Sequence, residues 1–279
     1  MSPQASLRTR IKICGLTREA DVEAAVSAGA DAVGFVLYEP SPRFVSAERA
    51  AELARLLPPF VTPVLLFVNQ DAIKIRAVCA CIPGALLQFH GDETLDDCLA
   101  AGRPFLRAAR IPLDEFWAPT LSAARASGGS LPLSLEEGAQ FALGRLGGEF
   151  PAVGAPFDLV KFADTFSAAQ AILLDAQVDG FGGGGKTFNW SQLPPNVNAH
   201  LVLSGGLTPA NVADGISQLR SCGKSLAVDV SSGVEATSAT GGALKGIKSS
   251  EKIRQFVAAV RAADALFARN HANLPATRR

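Results

Sequence analysis

The chain has 279 residues and no formal net charge, since 26 lysines and arginines balance 26 aspartates and glutamates. With 48% hydrophobic and 19% charged residues, it is too apolar for an intrinsically disordered protein, and its charge is too balanced for a protein that binds nucleic acid or a strongly acidic surface. The length suits either one large α/β barrel of roughly 250 residues or two smaller domains.

Short aliphatic or β-branched runs alternate along the chain with longer stretches whose apolar residues recur at helical spacing. Eight such runs predict strands, at residues 11–13, 32–37, 64–68, 86–89, 105–108, 171–174, 201–203 and 226–230. Helices are predicted at 18–28, 47–57, 72–79, 95–101, 159–166, 209–219 and 251–268. Ser46 is suited to cap the second of these, and Thr208 followed by Pro209 the sixth. The segment after Asn189 is too short and proline-rich for a full helix.

Strands that alternate with helices favour a parallel sheet, and the continuous apolar runs at 64–68 and 171–174 are typical of strands buried on both faces. We therefore prefer a single (β/α)8 TIM barrel over residues 1–279 to an open, doubly wound sheet. Residues 111–157 do not fit the repeat, because they hold five of the 17 prolines and two Gly-Gly pairs. We expect them to form an extended loop inserted after strand 5. Residues 271–279 are predicted to be a flexible tail.

The N-terminal residues and the cysteines indicate the compartment in which the protein is found. The polar N-terminal residues predict no signal peptide, and no run approaches the roughly 20 apolar residues of a membrane helix. The five cysteines are an odd number and are not spaced as zinc ligands. We therefore expect a soluble, cytoplasmic protein with reduced thiols.

Two glycine-containing loops follow the seventh and eighth predicted strands. The first contains Gly205 and Gly206, and the second contains Ser232 and Gly233. In TIM barrels these two loops commonly hold a phosphate group, because glycine lets backbone N–H groups approach an anion closely. One such loop alone is more often a simple turn. Because both loops follow the two strands where phosphate sites occur, a phosphate site and a pair of simple turns are equally favoured.

Two reactive side chains occur where predicted strands end, at the edge of a TIM barrel that carries its active site. Cys14 closes the first strand, where a lowered pKa would let the thiol act as a base or nucleophile. The alternative is a small buried apolar residue. Asp175 closes the sixth strand, where poor solvation would favour its protonated form and let it donate a proton. The alternative there is an exposed cap of the following loop.

Three further features carry weaker signals. Arg43 follows strand 2 and could bind a substrate carboxylate through paired hydrogen bonds, or be a solvated loop residue. His90 follows strand 4 and could contact a substrate, although a lone histidine is more often structural. Residues 180–187 formally match a nucleotide-binding loop but open no full helix, which favours a mobile flap. No two histidines are placed to share a metal with a carboxylate, so no metal is predicted.

Taken in order, these motifs resemble the phosphoribosylanthranilate isomerases of tryptophan biosynthesis. The resemblance is carried by KICGLT at 12–17, GFV at 34–36 with SPRFV at 41–45, QFHGDE at 88–93, LLD at 173–175, GGGKTFNW at 183–190, LSGGL at 203–207 and DVSSGVE at 229–235. Two positions depart from the family pattern, which commonly has Asp at Asn189 and Thr at Gly184. The long segment after strand 5 is also unusual for this family.

The resemblance implies an aldose–ketose isomerase that needs no cofactor. Such an enzyme converts N-(5-phosphoribosyl)anthranilate to 1-(2-carboxyphenylamino)-1-deoxyribulose 5-phosphate by an Amadori rearrangement. It implies that Asp175 is the general acid that protonates the furanose ring oxygen, and that the Cys14 thiolate is the general base that takes the proton from sugar C2. Arg43 would bind the anthranilate carboxylate, His90 would contact the substrate, and the two glycine loops would hold the phosphate.

The expected partner is therefore this small molecule, with no nucleic acid or membrane, and the expected assembly is a monomer or a homodimer. Two other functions stay open from the residues alone. One is a different phosphate-binding barrel isomerase or epimerase, which would usually bring metal ligands. The other is a non-catalytic phosphosugar-binding barrel in which residues 111–157 form a partner surface.

Overall fold

The computed structural model describes residues 8–111, 157–176 and 189–272. Within these ranges eight parallel strands close into a barrel, in which each strand pairs with the next and the eighth pairs with the first. The strands are β1 (Arg10–Cys14), β2 (Ala32–Val36), β3 (Thr62–Phe67), β4 (Leu86–Phe89), β5 (Phe105–Ile111), β6 (Ala171–Ala176), β7 (His200–Leu203) and β8 (Ser225–Val230). The predicted TIM-barrel fold is confirmed, and all eight strands lie where the apolar runs placed them.

Helices separate most of these strands. They are α1 (Glu19–Ala28), α2 (Ala47–Ala54), α3 (Ala72–Cys81), α4 (Leu95–Ala100), α5 (Leu159–Thr165), α6 (Val212–Leu219) and α7 (Ser250–Ala272). The predicted cap of α2 is confirmed, because the Ser46 hydroxyl accepts a hydrogen bond from the Arg49 N–H. The predicted start of α6 is wrong by three residues. The Asn211 side chain accepts the Thr208 N–H at 2.8 Å, which closes a turn before the helix begins.

Side chains of the strands alternate between the barrel interior and the surrounding helices. Aliphatic residues from four strands fill the interior: Val64, Leu106, Ala108, Ala171, Leu173 and Val202. Asp175 follows Leu173 by two positions, so it points inward as well. Lys12 pairs in register with Ala32 of the same interior layer, so Lys12 and Cys14 also point inward. Strand alternation therefore brings polar groups into the C-terminal end of an otherwise aliphatic barrel.

A small antiparallel sheet follows β8, and the sequence did not predict it. After a 3-10 turn at Ser232–Val234, the chain forms β9 (Glu235–Thr237) and β10 (Ala243–Lys248). The segment after Asn189 forms only a 3-10 turn, Trp190–Gln192, as its prolines predicted. Both short elements lie in connections that follow barrel strands, at the end of the barrel where β1 and β6 present Cys14 and Asp175.

Three sequence predictions fall largely outside the described residues. These are the insertion at 111–157, of which 112–156 lie outside, the flap at 180–187, and the tail at 271–279, of which 273–279 lie outside. They stay predictions. The barrel described here belongs to one unit, Met1–Leu113 with Leu159–Arg279. Across the described ranges, no helix has both the length and the apolar character needed to cross a membrane.

Candidate active site

Cys14 is the last residue of β1, and the residue is 4% exposed inside the barrel. Gly34 on β2 makes room for it, because a Cβ at Gly34 would lie 2.6 Å from Cys14 Sγ. Lys12 precedes Cys14 by two residues in β1, so its side chain lies on the same face of the strand. Its Nζ is 2.9 Å from Asp229 Oδ1 on β8, and both residues are buried. A thiol, an ammonium and a carboxylate thus share one buried space.

The pKa of Cys14 corrects an expectation from the sequence. Burial raises the pKa of this thiol above its ordinary value, although the charge and hydrogen bond of Lys12 oppose the rise. The expected lowering is absent because loss of hydration outweighs the nearby ammonium. Burial also acts to lower the pKa of Lys12, but Asp229 and Cys14 raise it overall, so Lys12 keeps its charge.

Asp175 lies in β6 and is 7% exposed. Its Oδ2 is 2.9 Å from His90 Nε2, and His90 Nδ1 is 3.0 Å from Gln88 Nε2. An amide nitrogen can only donate, so Nδ1 accepts, and Nε2 carries the ring proton that is donated to Asp175. Both ring nitrogens of His90 therefore contact protein groups. The structure brings His90 to the carboxyl of Asp175.

Arg43 is buried, and a carboxylate of the protein already pairs with it. Its Nε and Nη2 donate to the two oxygens of Glu235 at 2.7 and 3.0 Å. Glu235 opens β9 and also accepts the Gly246 N–H at 2.8 Å. The sequence left two alternatives for Arg43, a solvated loop residue or a group that binds a substrate carboxylate. Because Arg43 is buried and paired with Glu235, the solvated alternative is wrong. Nη1 is the guanidinium nitrogen that Glu235 does not engage.

Gly15 lies beside the stem of Arg43, and Lys248 lies beside the carboxylate that pairs with Arg43. Gly15 has φ of +74°, and a Cβ there would lie 2.6 Å from Arg43 Cδ, so the arginine stem passes directly beside the residue after Cys14. Lys248 Nζ lies 3.5 Å from Glu235 Oε1 and donates to the Ser231 carbonyl at 2.9 Å. Burial lowers the pKa of Lys248 to about 8, against the raising effect of Glu235.

The two glycine loops meet at the mouth of the barrel. Gly205 and Gly206 have φ of +76° and +62°, in the left-handed region that favours glycine. A Cβ at Gly205 would lie 2.8 Å from Asp175 Oδ1, so this loop passes against the carboxyl. A Cβ at Gly233 would lie 1.9 Å from the Leu207 carbonyl oxygen, so the loops after β7 and β8 touch. Their backbones form one continuous rim.

Sequence reasoning missed the residues that support the site. These residues are Lys12, Gln88, Asp229 and Glu235, which lie within the sequence motifs but have no role predicted from them. Alternation along β1 could have placed Lys12 on the face of Cys14, whereas the Arg43–Glu235 pair joins residues 192 positions apart and left no local signal. All five cysteines are free thiols. In the part of the chain that the structure describes, no three His, Cys, Asp or Glu side chains gather as metal ligands.

Residues 11–127 and 152–259 match the family described as N-(5'phosphoribosyl)anthranilate (PRA) isomerase. The N-(5'-phosphoribosyl)anthranilate isomerase of Methylibium petroleiphilum is 51% identical over 259 residues, covering 93% of this chain and 97% of the relative. A solved phosphoribosyl anthranilate isomerase in complex with reduced 1-(O-carboxyphenylamino)-1-deoxyribulose 5-phosphate is 29% identical with a TM-score of 0.59, covering 91% and 99% of the two chains.

A further solved structure holds monomers generated from the dimeric phosphoribosylanthranilate isomerase of Thermotoga maritima. It is 28% identical, with a TM-score of 0.59 and a coverage of 91% of this chain and 99% of that one. The matches extend over both halves of the barrel and include every strand that contributes to the candidate site. On this evidence the chain belongs to the N-(5'-phosphoribosyl)anthranilate isomerase family.

Proposed function

We propose that this protein catalyses the isomerisation of N-(5'-phosphoribosyl)anthranilate to 1-(2-carboxyphenylamino)-1-deoxyribulose 5-phosphate in tryptophan biosynthesis. The observation that carries the proposal is that a thiol and a carboxyl, Cys14 and Asp175, point into the same end of one barrel. Each has a buried polar partner, Lys12 for the thiol and His90 for the carboxyl. An acid and a base that face one substrate are what an Amadori rearrangement requires.

Asp175 starts the reaction as the general acid. It donates a proton to the furanose ring oxygen, the bond from that oxygen to C1 breaks, and the anthranilate nitrogen forms a Schiff base with C1. His90 acts through Asp175 by holding the carboxyl in one orientation, which makes it a positioning residue. The contacts of both ring nitrogens with protein groups support this role over the substrate contact expected from the sequence.

Cys14 completes the rearrangement as the general base. Its thiolate removes the proton from sugar C2, the electron pair moves to form the C1–C2 double bond, and the Schiff-base nitrogen becomes neutral. The enolamine then tautomerises to the ketone. An acid or a base of this kind contributes roughly 10²–10⁴ in rate.

Groups other than the acid and the base bind the two ends of the substrate, its phosphate and its carboxylate. The loops that contain Gly205, Gly206, Ser232 and Gly233 bind the phosphate through backbone N–H groups. Nη1 of Arg43 binds the anthranilate carboxylate, while Glu235 holds the other side of the guanidinium. Holding both ends aligns C2 with the thiolate and the ring oxygen with the acid.

Loss of substrate fluorescence in a steady-state assay tests the proposal. We expect turnover by the purified full chain and a fall of roughly 10²-fold or more in kcat for Cys14→Ala and for Asp175→Asn. Cys81→Ala is the matched control, because Cys81 is an exposed thiol on α3. Near-wild-type turnover in either site variant would remove that residue from its role.

The same assay separates the competing functions. Full activity in the presence of EDTA is expected, because no step above passes through a metal. Activity that vanishes with the chelator would favour a metal-dependent barrel isomerase or epimerase. Tight binding of the substrate without turnover would favour a phosphosugar-binding protein.

We further propose that the protein forms a homodimer through the N-terminal end of its barrel. Phe60, between α2 and β3, is fully exposed at φ of +72° beside a cavity of about 350 Å³, which is lined by residues such as Leu86, Ala171 and Leu226. An exposed aromatic ring beside an apolar cavity is self-complementary in a two-fold pair. Sedimentation should give a dimer for the wild type and a monomer for Phe60→Asp; a wild-type monomer at micromolar concentration would overturn this.

A cytoplasmic location belongs to the same proposal. A thiol that works as a base must stay reduced, and all five cysteines are free. Oxidised glutathione should therefore inactivate the enzyme in step with modification of Cys14, as followed by mass spectrometry. Full activity after modification of Cys14 would contradict both the location argument and the catalytic role.

A further inference from the structure

Lys12, Cys14 and Asp229 form a buried cluster inside the barrel. Each is 4–5% exposed. Lys12 Nζ lies 2.9 Å from Asp229 Oδ1. A Cβ at Gly34 would lie 2.6 Å from Cys14 Sγ and 3.1 Å from Lys12 Cε, so the thiol and the end of the lysine chain border the same small space. One ammonium thus lies between a carboxylate and a thiol.

The ammonium can serve both neighbours. It has three N–H donors, and the hydrogen bond to Asp229 uses one of them. Lys12 and Asp229 have opposite effects on the thiol. The positive charge of Lys12 favours the thiolate, and the negative charge of Asp229 disfavours it. In a buried space both effects act with little screening by water.

We propose that Lys12 is a positioning residue that stabilises the Cys14 thiolate, and that Asp229 opposes it, so that this pair sets how much thiolate is available as base. The inference rests on the proposed role of Cys14. When the thiolate takes the C2 proton, the Lys12–Asp229 pair is left as a neutral ion pair, so the cluster holds no unbalanced charge after the step.

The other charged groups near the thiol are already paired with each other. Lys248 on β10 lies beside Glu235, and both carboxylate oxygens of Glu235 accept hydrogen bonds from Arg43. Lys248 also lowers the pKa of Cys14, but its effect is weaker than that of Lys12. Lys12 is therefore the cation through which a substitution should change the thiol most.

Alkylation of the full chain by iodoacetamide, followed peptide by peptide with mass spectrometry from pH 6 to 10, measures the thiolate directly. Iodoacetamide is neutral, so changes in local charge do not alter its approach. Below its pKa a thiol loses tenfold in thiolate for each unit of rise in pKa. We expect Lys12→Met to slow the alkylation of Cys14 about tenfold or more at pH 7.5, and Lys12→Arg to restore part of the rate.

Asp229→Asn should act in the opposite direction and speed the alkylation of Cys14 several-fold. This opposite sign separates the proposal from a general loss of structure, which would speed all buried thiols together. Cys98 and Cys222, buried elsewhere, are the internal controls and should keep their rates. If Lys12→Met fails to fold, Asp229→Asn still decides the matter. Unchanged alkylation of Cys14 in the folded variants, or slower alkylation in Asp229→Asn, would overturn the proposal.

The outcome is separable from that of the proposed function. In the wild type, the alkaline rise of kcat with pH should follow the alkylation profile of Cys14, and both should move together in the two variants. Alkylation that shifts as expected in a chain without isomerase activity would leave the cluster standing and remove the function. Isomerase activity together with alkylation rates that do not change in the Lys12 variants would support the proposed function and contradict the role of Lys12.

Discussion

Replacing Glu235 by glutamine tests how the guanidinium of Arg43 is held at the mouth of the barrel. Glu235 is 1% exposed and faces four donors: Arg43 Nε and Nη2, the Gly246 N–H and Lys248 Nζ. Glutamine has nearly the same shape but one carbonyl oxygen and no charge. Its NH₂ group would point at other donors, and two buried cations would lose their counter-ion. Breaking a buried pair in this way costs about 3–5 kcal/mol.

We expect the lower end of that range, about 3 kcal/mol of unfolding free energy at pH 7, because the glutamine oxygen keeps some of the four hydrogen bonds. Urea denaturation measures it. Glu19→Gln is the matched control, since Glu19 also pairs with an arginine, Arg49, but at the surface; its effect should be much smaller. The KM of Glu235→Gln should also rise, because the guanidinium that binds the anthranilate carboxylate is no longer held from behind.

The difference in unfolding free energy between the wild type and Glu235→Gln should depend on pH. Burial acts to raise the pKa of Glu235, but hydrogen bonds from Arg43 and Gly246 and the charge of Lys248 bring it below its ordinary value of 4.5. A carboxyl with a lower pKa in the folded state stabilises the fold above its unfolded pKa, and that contribution is lost as the pH falls through the folded value. The gap between wild type and variant should therefore be full at pH 7 and narrow below about pH 4.5. A gap under about 1 kcal/mol at pH 7, or one that does not narrow in acid, would refute the reasoning.

Three further substitutions test separate parts of the site. Gly34→Ala should lower kcat by roughly 10²-fold, because its Cβ would lie 2.6 Å from Cys14 Sγ and displace the thiol; circular dichroism checks that the barrel persists. Gly233→Ala should raise KM for the substrate and weaken the binding of inorganic phosphate, since its Cβ would lie 1.9 Å from the Leu207 carbonyl oxygen, and titration calorimetry measures that binding. His90→Gln should lower kcat with KM nearly unchanged; a rise in KM alone would instead support a direct substrate contact.

The fold could be predicted from the sequence because the strands of a closed parallel barrel are buried on both faces. Continuous apolar runs such as 171–174 therefore indicate strands, and apolar residues at helical spacing indicate the helices. The end of β6 placed Asp175, and the end of β1 placed Cys14, because a barrel presents the C-terminal ends of all its strands at one face. Position thus identified both residues as candidates, whereas their roles as base and acid were implied by the family resemblance.

The supporting contacts could not be predicted, because they depend on residues far apart in the chain. The Glu235 carboxylate contacts Arg43 across 192 positions of the chain, and β9, which Glu235 opens, has just three residues. The pKa of Cys14 was expected in the wrong direction, since position in the chain does not reveal how fully a thiol loses its hydration. The start of α6 was missed because a side chain, that of Asn211, closes the preceding turn.

The fate of the C2 hydrogen tests the acid–base account most directly. With substrate deuterated at C2, the wild type should release deuterium to water as product forms, whereas Cys14→Ala should leave C2 deuterated even where Asp175 still opens the ring. Release of the C2 deuterium by Cys14→Ala at the wild-type rate, with product formed at that rate, would contradict the thiol as the base of this reaction.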